Sequence, residues 1–277
     1  MPDTSRFLTA LLFFACLSFN ALGETLHIVT EPWAPYVYIE NGQARGLDYE
    51  TTAIIFDRLG IDVKWEFLPW KRCLSMLKQA QADGALDIFK RGERDDLLLY
   101  PSEPLSDVEW VLFYANARPH SFLTMDDLRG LTVGVSPGYL YSAEFDASTV
   151  FSREPAPSHE ANFGKLLLGR IDMVITDRRV GQHVLDQMKV QDQITQSPIV
   201  LGLEPEYLAL RKNAGMDLLV QRFGAELKRF KREPAYAELV SQYTDESAMS
   251  PILPAGDPGR SAATPIKTVE QQESGAQ

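Results

Sequence analysis

The chain has 277 residues, 45% of them hydrophobic, and a formal net charge of −11. That length holds one compact unit or two small domains, each with apolar residues enough for a core. The acidic balance, with no basic stripe along the chain, excludes a nucleic-acid partner, because binding phosphate requires clustered lysine and arginine.

Residues 1–23 read as a secretory signal peptide. Arg6 supplies the positive flank, Phe7 to Leu17 the apolar stretch and Ala21-Leu22-Gly23 the small-residue cleavage site. The product is expected in the periplasm, with a mature chain starting at Glu24. No later stretch has the roughly 20 apolar residues that a bilayer crossing needs. Cys16 falls inside the signal, and Phe13-Phe14-Ala15 before it is a poor context for lipid attachment. Cys73 then stands alone, so no intramolecular disulfide is available; beside Leu74 and Leu77 on a helix it reads as a buried, inert thiol.

Thr25 to Thr30 is β-branched and alternating, a strand signal. It leads into EPWAPYVYIENGQARGLDYE, where two prolines and an Asn-Gly turn interrupt regular structure and Trp33, Tyr36 and Tyr38 gather. Leu47 to Leu59 has helical spacing and stops at Gly60. Asp62 to Leu68 reads as a strand, Trp70 to Ala82 as a helix starting past Pro69, and Ala85 to Phe89 as a buried strand. Lys90, Arg91 and Gly92 form a turn, and Glu93 and Arg94 open a one-turn helix. Val108 to Ala115 is a long apolar strand.

A second α/β series follows. Thr124 with Asp127 marks a helix start. Leu131 to Val135 is a strand, Tyr139 to Phe145 a helix, Val150 to Arg153 a short strand, and Ser158 caps a helix running to Leu168. Ile171 to Asp177 is a strand and Arg178 to Met188 a helix. Pro198 to Leu203 and Glu206 to Arg211 are extended, and helices over Met216 to Lys231 and Pro234 to Tyr243 end the ordered part. Strands alternating with helices give an α/β fold, each half a mostly parallel sheet flanked by helices. From Glu246 onward the composition cannot bury enough surface to offset its ordering entropy, and disorder is expected.

In open α/β sheets ligands sit beyond the carboxyl ends of strands, which singles out Arg94 and Asp177. Facing each other, they would clamp a zwitterion, the arginine fork on a carboxylate and the aspartate on an ammonium. Asp177 is also placed to cap the helix beginning at Arg178. Arg72, Lys90 and Arg91 read as solvated charges; in a cleft they would favour an anion. Residues 134–138, GVSPG, match a nucleophile elbow, but Pro137 lacks the backbone N–H that must serve the oxyanion, and losing one such donor costs on the order of 3 kcal/mol. The histidines at 27, 120, 159 and 183 lack metal-ligand spacing, and neither metal nor cofactor is expected.

With these motifs in order, the chain resembles the family 3 extracellular solute-binding proteins over residues 25–245. The resemblance rests on EPWAPYVY, GLDYE, ADGALD, GERDDLLLYPSEPL, LRGLTVGVSPG and LLLGRIDMVITD. It implies a two-lobed, hinged periplasmic-binding-protein fold of type II. Lobe 1 would comprise 24–108 and 204–245, lobe 2 109–203, and 246–277 would be a tail. It also implies a monomeric, non-enzymatic receptor for a small polar solute, an amino acid or related carboxylate, handed to the membrane permease of an ABC importer. Carried over by position, Arg94 would hold an α-carboxylate and Asp177 an α-amino group. Trp33 and Tyr36 would form aromatic walls, and Gly138 with Tyr139 would offer a helix N-terminus to the carboxylate. Trp70 and Arg72, in PWKR, resemble a branch with less defined ligands. The chain departs from amino-acid receptors at Phe89, Lys90 and Arg91, and at Gly138-Tyr139-Leu140, where small hydroxyl residues are usual. Some members of this fold are cyclohexadienyl dehydratases, for which Glu31, Lys90 or Arg91 would supply acid chemistry or substrate binding; others sense a ligand for a membrane partner.

Overall fold

A computed structural model describes residues 25–213 and 215–243, with the backbone of Leu253–Pro254. The signal peptide expected over 1–23 and almost all of the expected tail over 246–277 lie outside the described residues.

The chain opens with β1 (Leu26–Thr30), followed by a hairpin of β2 (Tyr38–Glu40) and β3 (Gln43–Arg45). Asn41 and Gly42 turn this hairpin with φ of 50° and 77°, the positive values a two-residue turn demands. Helix α1 (Leu47–Leu59) ends at Gly60, whose left-handed conformation returns its N–H to the last carbonyls. Next come β4 (Val63–Phe67), α2 (Trp70–Lys78) and β5 (Gly84–Phe89). Helix α2 is shorter than the 70–82 expected, because Ala80 turns to φ 57° and Gln81 bonds back to Met76. A 3-10 turn over Gly92–Arg94, the short β6 (Leu98–Leu99) and the long β7 (Asp107–Ala115) follow.

The second series holds a 3-10 turn at Met125–Leu128, started by a Thr124–Asp127 capping box, then β8 (Thr132–Val135), α3 (Ala143–Ala147) and β9 (Ser152–Pro155). Helix α4 (His159–Leu167) is capped by Ser158, and β10 (Met173–Asp177) runs straight into α5 (Arg178–Met188). Strand β11 (Ile194–Arg211), α6 (Met216–Phe230), α7 (Pro234–Tyr243) and β12 (Leu253–Pro254) complete the described chain.

The strands lie in the order β4-β1-β5-β11-β7-β10-β8-β9, with β6 and β12 also paired to β11. The two extended segments expected near the C-terminus are one 18-residue strand. Its first part pairs antiparallel with β7 from Ile194 to Pro205, and its last part pairs antiparallel with β5 and β6. Pro198, which has no N–H to give the ladder, sits where the register shifts between Gln196 and Val200. Strand β11 therefore ties one parallel group, β4-β1-β5, to the other, β10-β8-β9. Trp110 of β7, fully buried, is central to the core that spans the join, together with Phe113, Phe163 and Phe145.

Candidate functional site

The carboxyl ends of β1 and β5, the C-terminal part of β11 and the turn after β8 meet around one cleft of about 470 Å³, part of it open to solvent. Strand β1 delivers Thr30 and Glu31, and the loop after it delivers Trp33. Trp70 comes from the first turn of α2, Asp87 and Phe89 from the end of β5, and Arg91 and Arg94 from the turn beyond. The other side contributes Gly138, Tyr139 and Leu140, and β11 contributes Glu206.

Of the residues singled out from the sequence, Arg94, Trp33, Trp70, Phe89, Gly138 and Tyr139 line this cleft, as do Glu31 and Arg91. The side chain of Arg94 is 13% exposed. Among the described residues its guanidinium meets the Phe89 carbonyl at 3.3 Å and the exposed Glu93 carboxylate at 3.7 Å, leaving donor capacity on a half-buried cation. The aromatic wall is a packed array. Trp33 lies tilted against Trp110 at 6.2 Å and edge-on to Tyr139 at 6.4 Å, and Phe89 meets Trp110 edge-on at 5.6 Å.

Three placements differ from expectation. Asp177 is fully buried and outside the cleft. Its Oδ1 accepts from the backbone N–H groups of Arg179 and Val180, at 2.9 and 3.0 Å, and from the Tyr36 hydroxyl at 3.2 Å; its Oδ2 accepts from the Glu109 N–H at 2.9 Å. It is the N-cap of α5, with its lone pairs engaged, and no clamp across from Arg94 forms in this geometry. Tyr36 is likewise fully buried, stacked on Trp33 at 5.1 Å and accepting from Arg179 at 3.3 Å, so it backs the wall instead of facing the cleft. Arg72 is exposed on α2, one turn position away from the face that Trp70 and Cys73 bury.

The helix expected over 139–145 begins at Ala143 instead, with Ser142 as its cap. The tyrosines before it decide this. Tyr141 is buried against Trp110 at 4.9 Å, and its hydroxyl accepts the Ser136 N–H at 2.7 Å, so 139–141 stay outside the helix. No helix N-terminus stands at Gly138 and Tyr139. Tyr139 acts instead through its hydroxyl, which donates to Glu31 at 2.7 Å and joins the turn after β8 to the end of β1.

Lys90 and Arg91 do not make the cleft anionic-seeking. Lys90 is exposed over the Tyr100 ring, and Arg91, although it borders the cleft, is engaged by both oxygens of Glu204 at 2.5 and 3.0 Å. The acids on the wall are Glu31, Asp87 and Glu206. Burial raises the Glu31 carboxyl, with the Tyr139 hydrogen bond as a partial offset. Burial also holds Asp87 and Glu206 well above the ordinary carboxylate range, reinforced for Asp87 by the charge of Asp48 and a hydrogen bond with it, and for Glu206 by the charges of Asp87 and Asp48. Asp87 and Glu206 were missed in the sequence. The signal for Asp87 is one charge inside the otherwise apolar run Ala85 to Phe89 of a strand buried on both faces; Glu206, beside Pro205 in a polar stretch, offers none. Among the described residues no helix is long and apolar enough to cross a membrane.

No curated protein sequence matches the chain. Solved structures match its fold. A histidine kinase sensor domain with similarity to periplasmic binding proteins superposes with a TM-score of 0.70 at 19% identity, over 79% of this chain and 96% of that one. An amino acid ABC transporter substrate-binding protein from Streptococcus pneumoniae, bound to L-arginine, gives 0.68 at 18% identity, over 79% and 94%. An ancestral amino acid-binding protein, described as a precursor of cyclohexadienyl dehydratase, gives 0.66 at 19%, over 79% and 95%. At such identities the likeness is one of fold, the two-lobed α/β fold expected from the sequence. The sequence itself matches the family model of bacterial extracellular solute-binding proteins, family 3, over residues 26–246, and the chain belongs to that family.

Proposed function

We propose that this protein is a periplasmic receptor that captures a small polar solute, an amino acid or related carboxylate, and delivers it as a monomer to the permease of an ABC importer. Lobe 1, residues 24–108 with 204–245, and lobe 2, residues 109–203, close on the solute about the crossing strands β7 and β11. The observation that carries this reading is Arg94, a half-buried guanidinium with unspent donors in a cleft lined from both sides of the crossing strands. A carboxylate there gains charge-assisted, paired hydrogen bonds while Trp33, Trp70, Phe89 and Tyr139 exclude water.

A second reading, a dehydratase acting on a prephenate-like acid in the same cleft, is favoured by Glu31. Its half-buried carboxyl, raised by burial and hydrogen-bonded to the Tyr139 hydroxyl, is the kind of group that serves as a general acid. One experiment separates the readings: a thermal-shift screen of the protein against amino acids, small dicarboxylates, polyamines and prephenate. Ligand at 100 times its dissociation constant adds about 2.7 kcal/mol of stability. A shift with one amino-acid class and no turnover of prephenate supports the receptor; loss of prephenate on incubation supports the dehydratase.

A further inference from the structure

Behind the cleft wall three carboxylic acids converge. Asp48 comes from the first turn of α1, Asp87 from β5 and Glu206 from β11, and their ligand oxygens all lie within 4.8 Å of one another. Asp48 and Glu206 are 1% exposed and Asp87 9%. With all three ionised, both oxygens of Asp87, Oε2 of Glu206 and Oδ1 of Asp48 lack a donor and Asp48 Oδ2 takes the Ser106 hydroxyl; a proton held on Asp87 is shared with Asp48. None of the three joins an ion pair among the described residues. Each unmet buried carboxylate is costly, and in a native fold such a gap calls for an explanation. The cleft is the independent observation that supplies one, since Asp87 and Glu206 form part of its wall.

We infer that this acidic corner is the subsite for a primary ammonium group of the solute, at a place separate from Asp177. The inference rests on the receptor reading and names the solute class, a primary amine. An alkylammonium carries three N–H donors and no acceptor, which matches three carboxylates once the protons held by Asp87 and Glu206 leave to solvent as the cation enters. Hydrogen bonds of ordinary length place three acceptors around a tetrahedral nitrogen about 4.6 Å apart, which oxygens within 4.8 Å of one another admit. A planar guanidinium fork would serve one carboxylate well and leave others unmet. The route in is lined by the aromatic residues Trp33, Trp70, Phe89 and Tyr139, a residue type that suits a cation, and Glu31 adds a further acid. Of the two cations on that wall, Arg91 is already paired with Glu204, and Arg94 is the partner of the solute carboxylate.

The test is calorimetry on the full mature protein and on D87N and E206Q, with cadaverine, L-lysine, 6-aminohexanoate and L-norleucine as amines, hexanoate and adipate as amine-free acids, and manganese(II) as a metal probe. The expected result is binding confined to amines, weakened at least tenfold in both variants. Both variants should also melt higher than wild type without solute, because each removes the cost of burying an acid that ionises freely in the unfolded chain, and that separates lost binding from lost folding. Amine affinities within twofold of wild type in the variants would overturn the inference. So would tight binding of hexanoate or adipate, which would leave the receptor reading standing. Stoichiometric manganese binding that blocks amines would overturn it in favour of a metal ion. Silence from every probe and from the whole solute screen would remove the receptor reading and this inference with it.

Discussion

Replacing Arg94 with alanine isolates the interaction on which capture depends. The guanidinium is 13% exposed and spends one contact on the Phe89 carbonyl at 3.3 Å and a long one on Glu93 at 3.7 Å. The unliganded protein therefore loses little, on the order of 1 kcal/mol for one hydrogen bond. The complex loses more, because the solute carboxylate stays buried while its partner is gone. Truncating one member of a buried charged pair costs about 2–5 kcal/mol, and at about 1.4 kcal/mol per decade that is roughly 30- to 4000-fold in Kd. Arg94→Lys keeps the charge but not the planar fork, so it should fall between wild type and alanine. Calorimetry with the amino acid giving the largest melting shift measures all three proteins. Alanine within threefold of wild type, or lysine as weak as alanine, would refute the reasoning.

Tyr139→Phe removes the hydroxyl that donates to Glu31 at 2.7 Å and lowers its carboxyl pKa. The Glu31 carboxyl should then titrate at higher pH, read by carbon-13 NMR, with about 1–2 kcal/mol lost in stability. Burial pulls the His159 imidazole down to about 4. Between that value and the unfolded value near 6.5 the unfolded chain binds more protons, so this residue's contribution to stability falls as pH drops through that window. His159→Gln should flatten that part of a melting-temperature profile, and an unchanged slope would remove His159 as its source. Gly181→Ala would drive a Cβ to 2.2 Å from the Phe113 ring, which Phe163 already holds edge-on at 5.3 Å, so a loss of about 3 kcal/mol is expected in denaturant unfolding. Gly164→Ala, in α4 with open space around it, should instead gain up to about 1 kcal/mol in the same assay.

The order of elements was legible because the periodic apolar residues and their punctuation agree. Gly60 ends α1, Ser158 starts α4 and Asn41-Gly42 turns a hairpin as those residue types predict. Arg94 and the ring of aromatics were legible by position, each lying just past a strand end or helix start. The misses share a cause: a side chain's direction is fixed by tertiary packing that local pattern does not encode. Asp177 has the same sequence signature whether it faces a ligand or caps α5, and four hydrogen bonds decide for the cap. The helix expected at Tyr139 lost to Tyr141, whose burial against Trp110 depends on a residue some thirty positions earlier. Asp48, Asp87 and Glu206 come from three elements far apart in the chain, and only the strand order makes them neighbours.

Hydrogen–deuterium exchange, with and without a saturating solute from the screen, tests the central claim, capture between the lobes. The account predicts protection on both sides of the cleft at once, in 30–36 and 87–94 from one lobe and 136–141 from the other. Protection confined to one lobe, or falling elsewhere while the solute is bound, would contradict it.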